Sequence, residues 1–454
     1  MTEGSILRNL IFFAVPILIG NIFQQLYNVA YSAIIGNILG DDTFAAVGAA
    51  APVYGLIIGF ASGLTNGFAV IVARHFGAGD ERSMKRAVAM TYVLSATIAT
   101  VLTVAGSIAL HPLMKALRTP DEIIHNTESY MRIIILFSAV TITYNMLAGM
   151  MRAIGNSKAP LCFLIIATFI NIGLDYLFIK GFGMGVAGAA CATVISQGLS
   201  VALCFIYALK KCGFIVFSRK ELVWNKVLFA NLTSTGLSMG LMFAIVSAGS
   251  VILQSAVNSF GTATITAHTA ARKIDEMFMM PMSTIALSAS TFTSQNYGAG
   301  RIDRVQKGIR YSILLTTVWS AFSIITALLL RRILIGAISG TADAQVISTA
   351  SRYIAWNVIF FFVLGILVVL RSSLQGVGRK IVPVCGSAVE LAMKIAAAAY
   401  IAPKLGYFGI CILEPVIWII CAVMVMADYV IFLKRSGKMR SVTYEQAKEK
   451  EDHV

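Results

Sequence analysis

The sequence predicts an all-α integral membrane protein: twelve transmembrane helices in two six-helix lobes related by a pseudo-twofold axis. Three observations carry this prediction. First, 58% of the 454 residues are hydrophobic, 13% are charged and the mean hydropathy is +0.81, whereas soluble domains carry roughly 25% charged residues. Second, apolar segments long enough to cross a bilayer core, which takes about 20 helical residues, recur between short polar loops. Third, short glycine motifs of the first half return in the second half at a nearly constant offset.

Taken in order, the predicted spans are 11–36, 47–73, 88–110, 131–151, 160–180 and 186–209, then 231–258, 273–294, 309–330, 353–371, 381–402 and 409–433. The first run begins at Ile11, is too long for a signal-peptide core and lacks a small-residue cleavage site, so no cleaved signal is expected. With the N-terminus placed in the cytoplasm, 25 Lys and Arg fall on the inner side and 8 on the outer. That bias sets both termini in the cytoplasm of a multi-pass plasma (cytoplasmic) membrane protein. It also accounts for the net charge of +15 without nucleic acid, because the basic residues sit in short loops. The seven cysteines lie mostly inside apolar spans with no CxxC pair, so neither disulfides nor a metal site is expected.

The repeat fixes the domain organisation. Phe76-Gly77-Ala78-Gly79 returns as Tyr297-Gly298-Ala299-Gly300 and the pair Gly185, Gly188 as Gly406, Gly409, both at an offset of 221, while Gly155 and Pro160 return as Gly378 and Pro383 at 223. Six spans per copy give both halves the same orientation, with the axis along the membrane normal and the transport route expected between the lobes. The expected units are an N-lobe at 1–209, a basic cytoplasmic linker at 210–230, a C-lobe at 231–433 and a charged, loosely ordered tail at 434–454. No G-x-x-x-x-G-K-[S/T] loop occurs, so energy is expected from an ion gradient and not from ATP.

One acid stands out inside the predicted spans. Asp175 follows Asn171 by four residues in the fifth span, so the two share a helix face. A carboxylate at membrane depth costs about 2.5–3.5 kcal/mol on insertion scales. It either sits near the helix end and reaches the headgroups or binds a proton or cation inside a transporter. Other first-lobe polar candidates are Gln24, Asn28, Tyr31, Tyr130, Asn145, Thr193 and Gln197. In the second half Glu390 and Lys394 are four apart and can pair as a neutral unit, Glu414 lies 221 residues after Thr193, and Arg272, Asp275 and Glu276 open the eighth span. Pro16 removes a donor from the first span and should kink it. Gly55, Gly59, Gly63 and Gly67 form a smooth stripe expected to serve close helix packing. No nucleophile–base pair or metal-ligand cluster is present, so no enzyme is expected.

These motifs in order resemble the MATE (multidrug and toxic compound extrusion) family. The likeness rests on Leu26-Tyr27-Asn28 leading to Gly36 and Leu39-Gly40, then Ala45-Ala46-Val47-Gly48, Gly77-Ala78-Gly79, Arg152-Ala153-Ile154-Gly155-Asn156 and Asn171-Ile172-Gly173-Leu174-Asp175. The second half adds Gln295-Asn296-Tyr297-Gly298-Ala299-Gly300 and Gln375-Gly376-Val377-Gly378. The resemblance implies efflux of organic cations in exchange for protons or sodium ions by alternating access, by a monomer in contact with membrane lipid. Matched by motif, the coupling network would comprise Gln24, Tyr130, Asn171, Asp175 and Thr193. Glu390, Lys394, Glu414, Asp275 and Tyr31 would be substrate-binding candidates, and Pro16 a bending point. The family's first-span aspartate is missing, since Tyr27-Asn28-Val29-Ala30 is followed by Tyr31, and Val246 and Arg379 stand where the sodium-coupled branch has second-lobe acids. The alternative within the same superfamily is a lipid-linked saccharide flippase, which would display basic residues toward its cargo.

Overall fold

The computed structural model describes residues 1–116 and 119–451. Among them it holds fifteen α-helices and no strand: α1 (Ile6–Leu39), α2 (Asp41–Gly77), α3 (Glu81–Ala116), α4 (Asp121–Leu136), α5 (Ser138–Ala153), α6 (Lys158–Tyr176), α7 (Gly185–Lys211), α8 (Lys226–Asn258), α9 (Thr262–Gly298), α10 (Ile302–Ser339), α11 (Ala344–Val358), α12 (Phe361–Gly376), α13 (Ile381–Ala396), α14 (Ala402–Leu405) and α15 (Tyr407–Glu451). Nine continuous helical stretches are long and apolar enough to cross a membrane. Two more crossings are bent pairs: α4 with α5, at 50°, and α11 with α12, at 52°. The remaining long helix, α9, is not among them: after Arg272, Lys273, Asp275 and Glu276, its charge-free stretch 277–294 is diluted by serines, threonines and Pro281. With α9 counted, the chain has the twelve helical crossings read from its hydropathy, and the two bent ones hold the fourth place in each half.

The backbone repeats with the sequence. Gly79 and Gly300 have φ of 69° and 70°, Gly155 and Gly378 92° and 91°, Gly185 and Gly406 57° and 61°, and a further pair, Gly40 and Gly261, 81° and 85°. Only glycine enters that region of φ without a steric penalty, so the motifs recur because the same turns recur. Each half also carries a π-helical segment after its fifth crossing's α-helix, at Leu177–Gly181 and Ala397–Ile401.

Packing divides the chain into two compact units, Met1–Val251 and Ile252–Val454. The division falls inside α8, downstream of the 210–230 segment. Its cause is visible along α2. A Cβ on Gly63 would stand 2.6 Å from the Met239 carbonyl oxygen, and one on Gly67 2.6 Å from the Gly236 Cα, so α2 and the first part of α8 meet backbone to backbone. Of the expected glycine stripe, Gly63 and Gly67 serve this approach. Gly59 makes ordinary contacts and Gly55 meets nothing within 4 Å. The 210–230 segment itself is drawn onto the first unit, with Cys212 and Ile215 buried among Met84, Val88, Leu228 and Leu232. At the other end, the expected loose tail is instead a continuation of α15 to Glu451. The run Glu445-Gln446-Ala447-Lys448-Glu449-Lys450 consists of strong helix formers, which composition by charge alone overlooks.

The core of the second unit forms around α9, α11, α12 and α15, with Tyr353, Phe361, Ile274 and Ile417 fully enclosed. The first unit is built from two larger clusters, one around Phe68, Val72 and Leu147 and one around Val53, Met131 and Ile135. Pro16 is buried within α1, which continues as one helix on both sides of it.

Candidate functional site

In the first unit the site grows from α6. This helix packs against α1 and α7, and α7 in turn packs against α4. Asp175 sits in the penultimate position of α6, is 0% exposed, and neither carboxylate oxygen has a hydrogen-bond partner. That enclosure keeps the carboxylate off the protein surface. Asn171 is buried one turn away, and its amide nitrogen is also unpartnered. The two share the predicted face, yet no hydrogen bond joins them.

Tyrosines complete the surroundings. Tyr27, Tyr31 and Tyr130 all lie within electrostatic range of Asp175. The Tyr27 and Tyr31 rings are 5.7 Å apart on α1. Tyr31 packs on the cluster that holds Tyr130, Val186 and Ala190, and its buried hydroxyl interacts with that of Tyr130. Thr193 is half-buried on α7 and its hydroxyl donates back to the Ala189 carbonyl at 3.0 Å. Gln24 lies exposed on α1, and no hydrogen bond among the described residues ties it to this group. Thus Asp175, Asn171, Tyr130 and Tyr31 come together in a buried region, while Gln24 stays outside. Tyr27 is the member that the polar-residue inventory passed over. It was visible only as part of a motif, because a tyrosine in a span reads as interface or filler until its neighbours are known.

The second unit holds a buried charge network. Lys394, 2% exposed, lies 2.9 Å from Glu390 and 3.3 Å from Glu414. Glu414 also meets Arg272 at 3.5 Å, and Arg272 reaches Glu276 at 3.8 Å. Arg371 of α12 closes the other end at 4.0 Å from Glu390. The i,i+4 pair Glu390–Lys394 is therefore one link of a chain drawn from α9, α12, α13 and α15, not an isolated neutral unit. Asp275 is buried beside this chain, and both of its oxygens lack a hydrogen-bond partner. His268 meets the Tyr407 hydroxyl at 3.1 Å and its ring stands edge-on to Tyr353 at 4.9 Å. Arg371, His268 and Tyr353 were not singled out from sequence, since nothing in the spacing joins α11 or α12 to α9. Arg379 lies in the turn between α12 and α13, where it donates to Asp428 at 2.9 Å. That bond holds its guanidinium above the usual arginine range. Among the described residues no group of three or more His, Cys, Asp and Glu is placed to hold a metal ion.

Among the described residues each unit thus holds one buried acid whose oxygens have no hydrogen-bond partner, Asp175 or Asp275. A buried carboxylate without a partner is costly to keep charged.

The comparisons agree with this architecture. The MatE family model matches residues 16–177 and 239–400, one match in each half. This chain belongs to the MatE family. Among its relatives, "Probable multidrug resistance protein YpnP" of Bacillus subtilis is 27% identical, over 83% of this chain and 84% of that one. "Probable multidrug resistance protein NorM" of Thermotoga maritima is 23% identical over 98% and 96%. Among solved structures, one described as MATE in the bent conformation superposes with a TM-score of 0.87 at 20% identity, covering 96% of this chain and 98% of that one. A Pyrococcus furiosus transporter described as having a binding pocket of reverse polarity superposes with a TM-score of 0.85 at 20% identity, over 97% and 98%. At such identities the superpositions establish the MATE fold, and the chain is a multi-pass membrane protein of that transporter family.

Proposed function

We propose that this MATE protein is a secondary active multidrug exporter. It moves organic cations outward in exchange for protons or sodium ions, by alternating access of its two lobes, across a plasma membrane with both termini in the cytoplasm. The observation that carries the reading is Asp175, an acid fully enclosed in an apolar crossing with both oxygens unpartnered and three tyrosines around it. The relatives named as multidrug resistance proteins support the export direction and the breadth of cargo.

In this reading Asp175 takes up the coupling ion and Asn171 completes the polar face. The tyrosine hydroxyls supply neutral oxygens that suit either a proton or a hard cation. Loading of Asp175 neutralises the charge and so changes which lobe arrangement is favoured. The drug must favour the other arrangement, because an ion and a drug that bind both states equally are not coupled. Asp275, Glu414, Glu390 and Tyr31 are the candidate groups for a positive drug, with Lys394 setting how much negative charge remains available. The protein works as a monomer and uses neither ATP nor nucleic acid.

Export of a lipid-linked saccharide draws on Arg272, Arg371 and Lys394. Each of these lies within 4.0 Å of a carboxylate, which leaves no free basic surface among them for a pyrophosphate.

Everted membrane vesicles test the proposal. With a fluorescent organic cation outside and a pH or sodium gradient imposed separately, one gradient drives uptake, and Asp175→Asn abolishes the drive while the protein remains in the membrane. Uptake driven by neither gradient for any cation overturns the export reading. Coupling that survives in Asp175→Asn moves the ion site to Asp275 or Glu414.

A further inference from the structure

At the end of α10 remote from its basic start, Arg331 and Arg332 join Arg352 of α11 around a cavity of about 600 Å³, with Ile347, Ser348 and Ser351 completing much of its wall. No Asp or Glu lines it. Among the described residues none of the three arginines, of which Arg332 and Arg352 are exposed and Arg331 half-buried, enters an ion pair, whereas Arg272, Arg371 and Arg379 each do. The nearby acid, Asp343, is engaged as the cap of α11, accepting from the Gln345 N–H at 2.8 Å. The Ser351 hydroxyl is buried without a partner. Ala344, Ile347 and Ser348 place the first turn of a fifteen-residue helix in the wall, and its dipole adds to the positive field.

The depth of this cluster follows from α10 itself. Between Arg310 and Arg331 lie twenty residues without a charge. At about 1.5 Å per residue that run matches the roughly 30 Å hydrocarbon core, so Arg331 and Arg332 come out at headgroup level. Along the same helix Val318, Phe322, Ile325, Leu329 and Ile333 are all more than half exposed, at spacings of three and four. They form one apolar stripe that rises to the arginines.

We propose that this cavity is a binding site for the phosphate of an anionic membrane lipid. The arginines and the α11 N-terminus hold the headgroup, and an acyl chain lies along the α10 stripe. A free inorganic anion would also satisfy the arginines, whereas the stripe, a face the helix turns to lipid in any case, puts acyl chains directly beside them. That the occupied leaflet is the outer one rests on the topology proposed above, whereas the site and its chemistry do not. Three arginines grouped on the side where topology disfavours positive charge are a feature that insertion alone does not call for.

Native mass spectrometry of the full-length protein in lipid nanodiscs or detergent tests this without any transport readout, so its outcome is independent of the export proposal. The probes are phosphatidylglycerol, phosphatidylcholine and inorganic phosphate. Wild type retains phosphatidylglycerol over phosphatidylcholine, and inorganic phosphate displaces it poorly. Each of Arg331→Gln, Arg332→Gln and Arg352→Gln weakens phosphatidylglycerol retention by about fivefold, with phosphatidylcholine unchanged. Lysine at the same positions keeps part of the preference, and identical elution on gel filtration shows that the variants fold. Unchanged phosphatidylglycerol retention in the triple glutamine variant overturns the proposal. So does full displacement by inorganic phosphate, which makes the site one for a free anion.

Discussion

At the scale of single residues, charge pairing and burial decide what each position tolerates. Glu414 lies beside both Lys394 and Arg272, and its side chain is 5% exposed. Glu414→Gln leaves two cations sharing fewer carboxylates inside the protein. The expected loss is about 3–5 kcal/mol, the scale for removing one partner of a buried pair. The check is the unfolding midpoint in detergent, compared with Glu81→Gln. Glu81 meets Lys85 at 2.7 Å with its own side chain 57% exposed, and its removal leaves the midpoint in place. Asp175→Asn is expected to do the opposite of Glu414→Gln. No hydrogen bond is lost at Asp175, so the midpoint holds or rises while ion-driven uptake disappears. The same pair of readouts separates a stabilising charge from a working one.

At the scale of elements, the α2–α8 approach makes a sharp contrast available within one helix. Gly63→Ala places a methyl group 2.6 Å from the Met239 carbonyl oxygen, whereas Gly55→Ala meets open space. Alanine is favoured over glycine in a helix by about 1 kcal/mol. Gly55→Ala is therefore expected to leave or raise the melting temperature, and Gly63→Ala to lower it by pushing the helices apart. Thermal melts of the two variants side by side are the check. The glycine spacing announced a close packing face but not its extent, because a stripe of small residues says nothing of where the partner helix stops. Hydropathy placed the crossings, including the eighth, which its many serines and threonines make weakly apolar. The bends within α4–α5 and α11–α12 had no sequence mark, since neither break contains proline. Asp175 and Asn171 were legible because a carboxylate and an amide at i,i+4 in an apolar run are conspicuous. The Lys394–Glu414–Arg272 chain was legible only in pieces, because its links cross between helices distant in sequence.

At the scale of the whole molecule, the duplication is a physical repeat as well as a sequence repeat. Gly79 and Gly300 hold the same left-handed turn at φ of 69° and 70°. Alanine is strained there by about 1–2 kcal/mol. Gly79→Ala and Gly300→Ala are thus expected to lower stability by matching amounts, measured as equal shifts in melting temperature. Their open surroundings, with nothing within 4 Å of an added Cβ, leave only the backbone term to act. The buried charges have diverged further than the frame. One half keeps an isolated acid among tyrosines, and the other surrounds its acid with a network of opposite charges.

The π-helical segments at Leu177–Gly181 and Ala397–Ile401 bear on how such a chain can change its length. A π turn holds one residue more than the α turn it replaces. Deleting a single residue from Leu177–Gly181 would let the helix relax to regular α geometry, an absorption that a deletion elsewhere in a crossing cannot enjoy without rotating everything beyond it. These two short stretches are therefore the places where the crossings can lose a residue while what lies on either side, Asp175 and the turn at Gly183 for the first of them, keeps its facing.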